Sequence, residues 1–134
     1  MRLLGIDYGE KRIGIAIGDE ELLIVKPLCV IKNDKYVINH IKKLVNDYSI
    51  DKIILGNPLK PTGGKSKMSE KVEEFANNLR STLEGVDIVL WDERYTSEEA
   101  ERYIKEIPPK KRKEIKDKIS AYIILRDYLG HYSG

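Results

Sequence analysis

The spacing of apolar residues changes part-way along the chain, and this change constrains the fold more than any other feature of the sequence. In the first third, apolar and small residues alternate, as in Ile13, Ile15 and Ile17, and such alternation is typical of β-strands. From Val37 onward, apolar residues recur at helical spacing, with a short apolar run at 53–55 between two such stretches. The pattern therefore predicts three strands joined by short turns, followed by helices that alternate with strands.

This order of elements predicts a sheet of mixed direction in the α/β class. Pro27 interrupts the third strand, and proline within a strand is typical of a sheet edge. Strands that are joined through crossover helices run parallel, so the first, fourth and fifth strands should be parallel. In chain order we expect strands near 3–7, 13–17 and 22–31, a helix over 37–48, a strand at 53–56, a helix over 72–83, a strand at 86–93, a helix over 96–107 and a last helix over about 111–128.

Composition limits the class of protein. With 134 residues, the chain is expected to form a single domain over 1–134. It is 41% hydrophobic and 34% charged, has no signal-peptide pattern and has no apolar stretch near the ~20 residues of a membrane span, so a cytoplasmic protein with no membrane contact is expected. Its single cysteine, Cys29, excludes a disulfide within the chain. The formal net charge of +2 does not indicate nucleic-acid binding, which must be argued from local clusters.

Three carboxylates fall where predicted elements begin or end. Asp7 ends the first strand, Glu93 ends the fifth, and Asp117 lies near the start of the last helix, on the same stripe as Ala121 and Ile124. Ligands of such sheets bind at the carboxyl ends of the strands, near a switch in strand order. Negative charges gathered there would repel one another unless a cation joined them, and Mg²⁺ and Mn²⁺ prefer oxygen ligands. The pattern predicts one or two divalent ions and hydrolysis at phosphate.

Each carboxylate also has a simpler interpretation when it is taken alone. Asp7 has glycines on either side and suits a turn between strands. Glu93 suits a position just before a helix, where a negative charge is favoured. Asp117 has Lys113 and Lys118 within reach as ion-pair partners. The prediction of a joint site therefore depends on the three meeting in space.

Basic residues cluster in three places along the sequence. Lysines and arginines flank two of the carboxylates, occupy a glycine-containing loop at 60–67 that is placed to arch over the site, and open the last helix. Each group is a candidate for contact with phosphates, and each is equally compatible with a solvated surface. The candidate nucleic-acid-binding residues are Lys11, Arg12, Lys65, Lys67, Arg94, Lys111, Arg112 and Lys113.

Four segments together resemble a known family. They are Leu-Gly-Ile-Asp-Tyr-Gly at 4–9, Gly-Asn-Pro-Leu at 56–59, Leu-Trp-Asp-Glu-Arg-Tyr-Thr at 90–96 and Asp-Lys-Ile-Ser-Ala at 117–121. In this order, and over nearly the whole chain, the sequence resembles the YqgF/RuvX family of ribonuclease-H-like proteins. Members are assigned as Holliday-junction resolvases and as nucleases that mature the 5′ end of the small-subunit ribosomal RNA precursor.

The resemblance carries expectations about fold, site and partners. It implies a ribonuclease-H-like fold, with a mixed sheet of strand order 3-2-1-4-5 and helices on both faces. It implies that Asp7, Glu93 and Asp117 are the catalytic and metal-binding acids, that Mg²⁺ or Mn²⁺ is the cofactor, and that structured RNA, branched DNA or ribosomal precursor particles are the partners of a monomer or homodimer. The sequence departs from the family pattern at Glu10, which is expected to add negative charge near the site, and at Asn57 and Tyr95.

Several functions compete at this stage. A metal-dependent endonuclease acting in 5′-end maturation of pre-16S ribosomal RNA is the leading hypothesis, and a Holliday junction resolvase acting as a two-fold dimer is the alternative. Gly5 to Gly9 also resembles the first phosphate motif of actin-like kinases, but those proteins need two such domains. A non-catalytic RNA-binding assembly factor would keep the fold without the chemistry. The sequence leaves the true substrate, the cleavage position and the number of metal ions open.

Overall fold

The chain forms one five-stranded sheet with helices packed on both of its faces. A computed structural model describes residues 1–93 and 105–133, with side chains described throughout these ranges except at 113–117 and 131–133. The strands are β1 (Arg2–Asp7), β2 (Arg12–Asp19), β3 (Ile24–Lys32), β4 (Lys52–Asn57) and β5 (Asp87–Asp92). The helices of the described ranges include α1 (Val37–Tyr48), α2 (Lys67–Thr82) and the C-terminal helix (Pro109–Ser133).

The strand order is β3-β2-β1-β4-β5, as the family resemblance implies. β1, β2 and β3 form an antiparallel meander, whereas β4 runs parallel to both β1 and β5, so the predicted directions are confirmed. β3 lies at the edge, as Pro27 predicts. The β2–β3 register shifts between Ile15 and Ala16, which pair with Cys29 and Pro27, so the proline coincides with a local irregularity.

The two faces of the sheet are covered by different helices. On one face, α1 and α2 bury a large core that includes Leu4, Ile6 and Leu55. On the other face, the C-terminal helix packs on the residues of opposite parity, such as Leu3 and Ile54, because successive side chains of a strand point to opposite sides. The fold therefore separates the helical pair α1–α2 from the C-terminal helix by the full thickness of the sheet.

The C-terminal helix approaches the sheet closely because small residues face it. A Cβ atom on Gly5 would lie 2.5 Å from Cγ of Leu125 and 2.9 Å from the carbonyl oxygen of Ala121, closer than real Cβ contacts allow. Ala16 of β2 is fully buried in the same cluster. The small-residue face of β2 therefore packs against this helix.

Several element boundaries differ from the sequence prediction, including that of α2, which begins at Lys67 rather than at residue 72. β3 begins at Ile24 rather than near residue 22, because the Asp19 carboxylate accepts hydrogen bonds from the backbone N–H groups of Glu21 and Leu22 and so extends the turn. The C-terminal helix is longer than 111–128: it begins at Pro109, since the first helical turn needs no N–H donor from proline. It also runs past Gly130 to Ser133.

The prediction of a helix over 96–107 falls mostly on residues 94–104, which lie outside the described residues. Among the helices of the described ranges, none combines the length and the apolar character needed to cross a bilayer.

Candidate active site

The carboxyl ends of β1, β4 and β5 meet at one edge of the sheet. Ile6 pairs with Leu55, so Asp7 lies level with Gly56, and Gly56 in turn pairs with Trp91. Glu93 follows the end of β5, two residues beyond Trp91. By strand alternation, Asp7 and Gly56 both lie on the face that the C-terminal helix covers. The stagger between the strands leaves Glu93 further out than Asp7 along the strand direction.

Glu93 reaches Asp7 because its side chain lies over Gly56. A Cβ atom at position 56 would stand 2.8 Å from Cδ of Glu93 and 2.5 Å from Cδ1 of Ile124, so no larger residue fits without displacing one of them. The glycine thus leaves the space in which the two carboxyl groups meet. Sequence reasoning identified the end of β4 as part of the site edge, but it missed that Gly56 makes room for Glu93.

The two carboxyl groups are close enough for each to oppose ionisation of the other. The pKa of Glu93 is raised from 4.5 to about 7, mainly because the group is buried, and further by the negative charge of Asp7, by a hydrogen bond with Asp7 and by the charge of Asp92. The protonated Glu93 carboxyl donates this hydrogen bond, and the Asp7 carboxylate accepts it. The structure therefore brings Asp7 and Glu93 together, as the sequence predicts.

The third predicted acid, Asp117, lies in the C-terminal helix about one turn before Ala121, whose carbonyl oxygen approaches Gly5 of β1. Its side chain is not among those described, so its place in the acidic set stays a prediction. Among the described side chains, no group of three or more His, Cys, Asp or Glu residues is arranged to hold a metal ion. The described part of the site is thus a pair of carboxyl groups.

The predicted phosphate-binding residues fall in different surroundings. Lys11 and Arg12 are exposed where the chain enters β2, a few residues beyond Asp7. Lys65 is exposed and forms an ion pair with Glu73, with 3.0 Å between Nζ and Oε2. Lys67 is the first residue of α2 rather than the last of the loop, and it is also exposed.

The basic cluster at the start of the C-terminal helix is partly structural. The Arg112 guanidinium donates hydrogen bonds to the carbonyl oxygens of Ile107 (2.9 Å) and Lys105 (3.2 Å), so it fastens the preceding segment to the helix. Lys111 is exposed. Arg94 and the side chain of Lys113 lie outside the described residues, so their predicted roles stay predictions.

The loop between β4 and α2 folds into a turn. The carbonyl oxygen of Lys60 accepts a hydrogen bond from Gly63, the carbonyl oxygen of Gly64 accepts one from Lys60, and the Ser66 hydroxyl donates to the carbonyl of Pro58. Ser66 then caps α2, because its side-chain oxygen accepts a hydrogen bond from the backbone N–H of Ser69. The prediction that this loop arches over the site is not tested by these contacts.

Glu10 does not direct its charge towards the carboxyl pair, contrary to expectation. Its Oε1 atom lies 2.6 Å from Nζ of Lys71, on the face of α2, and this contact lowers the pKa of Glu10. The two residues are 61 positions apart, and nothing in the local sequence indicates the pairing. The charge of Glu10 is therefore compensated on the opposite side of the sheet from Glu93.

The segment after Asp7 is anchored by contacts that sequence reasoning missed. The rings of Tyr8 and Phe75 lie 5.0 Å apart, and the Asn33 amide donates a 2.8 Å hydrogen bond to the carbonyl oxygen of Gly9. Because Tyr8 follows Asp7 directly, these contacts hold the strand end that presents the carboxylate. The apolar spacing of α2 predicts Phe75 as a core residue, but no local pattern indicates Asn33.

A sheet of this order with helices on both faces and acidic residues at its carboxyl edge is a ribonuclease-H-like domain. A family model described as RuvX, Holliday junction resolvase, matches residues 1–131. The chain therefore belongs to the RuvX family.

Relatives and a solved structure agree with this assignment. A protein of Syntrophus aciditrophicus, assigned by name as a pre-16S rRNA nuclease, is 40% identical over 96% of this chain and 88% of its own. One of Caldanaerobacter subterraneus subsp. tengcongensis with the same name is 38% identical over 96% of both chains. T. thermophilus RuvC, solved with a Holliday junction substrate, shares the fold: its TM-score is 0.65 at 13% identity, and the match covers 100% of this chain and 96% of that chain.

Replacing Gly56 with alanine should separate the two carboxyl groups. The added Cβ would overlap Glu93 and Ile124, so we expect the free energy of unfolding to fall by about 1–3 kcal/mol. Gly130→Ala is the matched control, because its Cβ meets open space within a helix and should stabilise by about 0.5–1 kcal/mol. Urea unfolding measures both, and equal effects at the two positions would contradict this description of the site.

The stability of the metal-free protein should depend on pH through Glu93. The folded pKa of Glu93 lies near 7 and the ordinary value is 4.5, so the folded state binds more protons between these values. The contribution of Glu93 to the free energy of unfolding is therefore greatest below about pH 4.5. It falls by up to about 3 kcal/mol as the pH rises through 7.

Urea unfolding of metal-free protein at several pH values measures this effect. Glu93→Gln should remove most of the pH dependence over that range, whereas Glu84→Gln, at an exposed position, should leave it unchanged. If the free energy of unfolding of Glu93→Gln changed with pH as much as that of the wild type, another group would be responsible for the pH dependence.

Proposed function

We propose that this chain is a divalent-metal-dependent endonuclease that hydrolyses phosphodiester bonds in the 5′-end maturation of pre-16S ribosomal RNA. The observation that carries the proposal is the half-buried carboxyl pair of Asp7 and Glu93 at the carboxyl edge of the sheet. A buried pair of like charges is costly, and such pairs are concentrated at functional sites. Membership of the RuvX family supports nuclease activity, and the names of the relatives suggest pre-16S ribosomal RNA as the substrate.

The carboxyl pair suits Mg²⁺ or Mn²⁺ by its chemistry. Carboxylate oxygens are the preferred ligands of both ions, and a bound cation would offset the burial and the charge of Asp7 that raise the pKa of Glu93. Asp7 and Glu93 would hold one or two such ions, with Asp117 as a further ligand. When bound, the metal neutralises charge on the scissile phosphate and makes a water molecule more acidic.

Side chains of this chain have the remaining roles in the proposed reaction. The ionised oxygens of Asp7 accept hydrogen bonds and so orient a water molecule near the phosphorus. Because its pKa lies near 7, the Glu93 carboxyl group can either hold or release a proton near neutral pH. Lys11 and Arg12, exposed beyond the end of β1, contact neighbouring phosphates without reading base sequence. The C-terminal helix, through Ile124, excludes water beneath Glu93.

A Holliday junction resolvase is the second candidate, because the matching family model carries that description. Such an enzyme cuts two strands symmetrically and would act as a two-fold dimer, whereas a precursor-RNA nuclease needs only one active site. A role in ribosomal RNA maturation also implies contact with ribosomal precursor particles in the cytoplasm.

One cleavage assay separates these candidates. The purified protein is mixed with labelled precursor RNA that carries the 5′ leader, or with a four-way DNA junction, in Mg²⁺, in Mn²⁺ or in EDTA. Metal-dependent cutting of the precursor RNA alone supports the proposal, and cutting of the junction alone supports the resolvase. Binding of either substrate without cutting in any metal would contradict the nuclease mechanism and favour an assembly factor.

Asp7→Asn should abolish cleavage without unfolding the protein. Loss of the charged oxygen is expected to lower the single-turnover rate by at least about 10²-fold. Because the substitution also removes the charge that opposes ionisation of Glu93, the melting temperature above neutral pH should stay equal or rise. Asp87→Asn, at the opposite end of the sheet, is the control and should cut normally. Normal cleavage by Asp7→Asn would overturn the mechanism.

A further inference from the structure

A cavity of about 420 Å³ opens on the face of the sheet opposite the carboxyl pair, between α1, α2 and the segment after β1. One wall is apolar and aromatic, formed by Tyr8, Phe75 and Val37, and the other is polar, formed by Asn33, Asn78 and Glu74. A volume of about 420 Å³ is enough for a small ligand, and the lining is more polar than apolar, since five of its nine residues carry charged or amide side chains. Neither the carboxyl pair nor any predicted basic residue whose side chain the structure describes lines the cavity, so the proposed mechanism does not account for it.

The charges around the cavity disfavour a phosphate inside it. Lys71 is the basic residue of the lining, and its ammonium group is already paired with Glu10 at 2.6 Å. Glu74 adds a further negative charge to the wall. Because Lys71 neutralises Glu10, the net charge is small, so the cavity is not built for a strong cation either. An uncharged ligand with hydrogen-bonding edges suits it best.

The cavity lies directly beside the proposed cleavage site along the chain. Tyr8, in its wall, follows Asp7 and packs against the core on the α1–α2 face, whereas Asp7 lies on the face that the C-terminal helix covers. The same strand end therefore presents a carboxylate to one face and an aromatic ring to the other. A nucleotide strand that crosses the sheet edge at Asp7 can place one of its bases on the side of Tyr8.

From this arrangement we propose that the cavity binds one unpaired nucleobase of the substrate, close to the cleavage position. The inference rests on the proposed nuclease function and adds to it a site for the base. Proteins recognise single-stranded RNA by stacking splayed bases on aromatic rings and by hydrogen bonding to their edges. Phe75 is only 6% exposed and packs its ring against that of Tyr8, so the half-buried Tyr8 ring supplies the aromatic surface, and the amides of Asn33 and Asn78 supply the polar groups.

Glu74 gives the cavity a preference among bases. A carboxylate only accepts hydrogen bonds, so it favours guanine, whose N1–H and N2 amino groups are adjacent donors, and cytosine, which has an amino group, over uracil, whose single N3–H lies between two carbonyl oxygens. Asn33 already donates one amide hydrogen to Gly9, which reduces the donors left for a ligand carbonyl. Guanine and cytosine should therefore bind better than uracil.

The test combines a substitution that fills the cavity with substrates that lack one base. Asn78→Trp places a large side chain in the wall from an exposed helical position, and Asn77→Trp, at the adjacent exposed position that does not line the cavity, is the matched control. Each variant is assayed on precursor RNA that carries a single abasic nucleotide at successive positions around the cut.

We expect one position at which the abasic nucleotide lowers kcat/KM of the wild type about tenfold, the scale of one stacked base. Asn78→Trp should show a similar loss on intact RNA and no further loss on the abasic RNA, while Asn77→Trp should behave as the wild type does. The inference is overturned if no position responds, or if Asn78→Trp cuts intact RNA normally and keeps the abasic response.

A binding measurement separates failure of this inference from failure of the nuclease proposal. Guanosine, cytidine and uridine, which carry no phosphate, are titrated into the full chain while NMR follows the side-chain amides of Asn33 and Asn78. Shifts with guanosine or cytidine that Asn78→Trp abolishes support the base site even if no substrate is cut. Absence of shifts with all three nucleosides would overturn the inference, and so would shifts of equal size with guanosine, cytidine and uridine that persist in Asn78→Trp.

Discussion

The mutual repulsion of the Asp7 and Glu93 carboxyl groups is the constraint on which the rest of the structure depends. Burial and the charge of Asp7 raise the pKa of Glu93 to about 7, so a proton or a bound cation relieves the repulsion between the two groups. Gly56 leaves the space in which the groups meet, and Ile124 of the C-terminal helix lies against it. An arrangement that costs stability in this way persists because the surrounding core fixes both strand ends.

The two faces of the sheet contribute differently to this arrangement. On one side the C-terminal helix packs on Gly5, lies beneath Glu93 and carries position 117 towards the same edge. On the other side, Phe75 and Asn33 hold Tyr8 and Gly9, which follow the catalytic strand end. The first face bears the proposed chemistry, and the second bears a cavity large enough for a base. The end of β1 connects them, because adjacent residues there point to opposite faces.

Much of this could be predicted from the sequence because it depends on local periodicity. Alternation gave β2, helical spacing gave α1 and α2, and the crossovers gave the parallel strands that bring Asp7 and Glu93 to one edge. The role of Gly56 could not be predicted, because it depends on the stagger of β4 against β5. The Glu10–Lys71 ion pair joins residues distant in sequence, and no local pattern encodes it. The part played by Asp117 is still a prediction.

The central claim is that Asp7 and Glu93 form one coupled acidic pair that a divalent ion neutralises. Carboxyl-carbon NMR of Glu93, titrated against pH with and without Mg²⁺, tests it most directly. The account predicts a pKa near 7 without metal, in line with the structure, and a value well below 4.5 once Mg²⁺ has displaced the proton. An ordinary pKa for Glu93 in the metal-free protein, or a raised value that Mg²⁺ leaves unchanged, would contradict it.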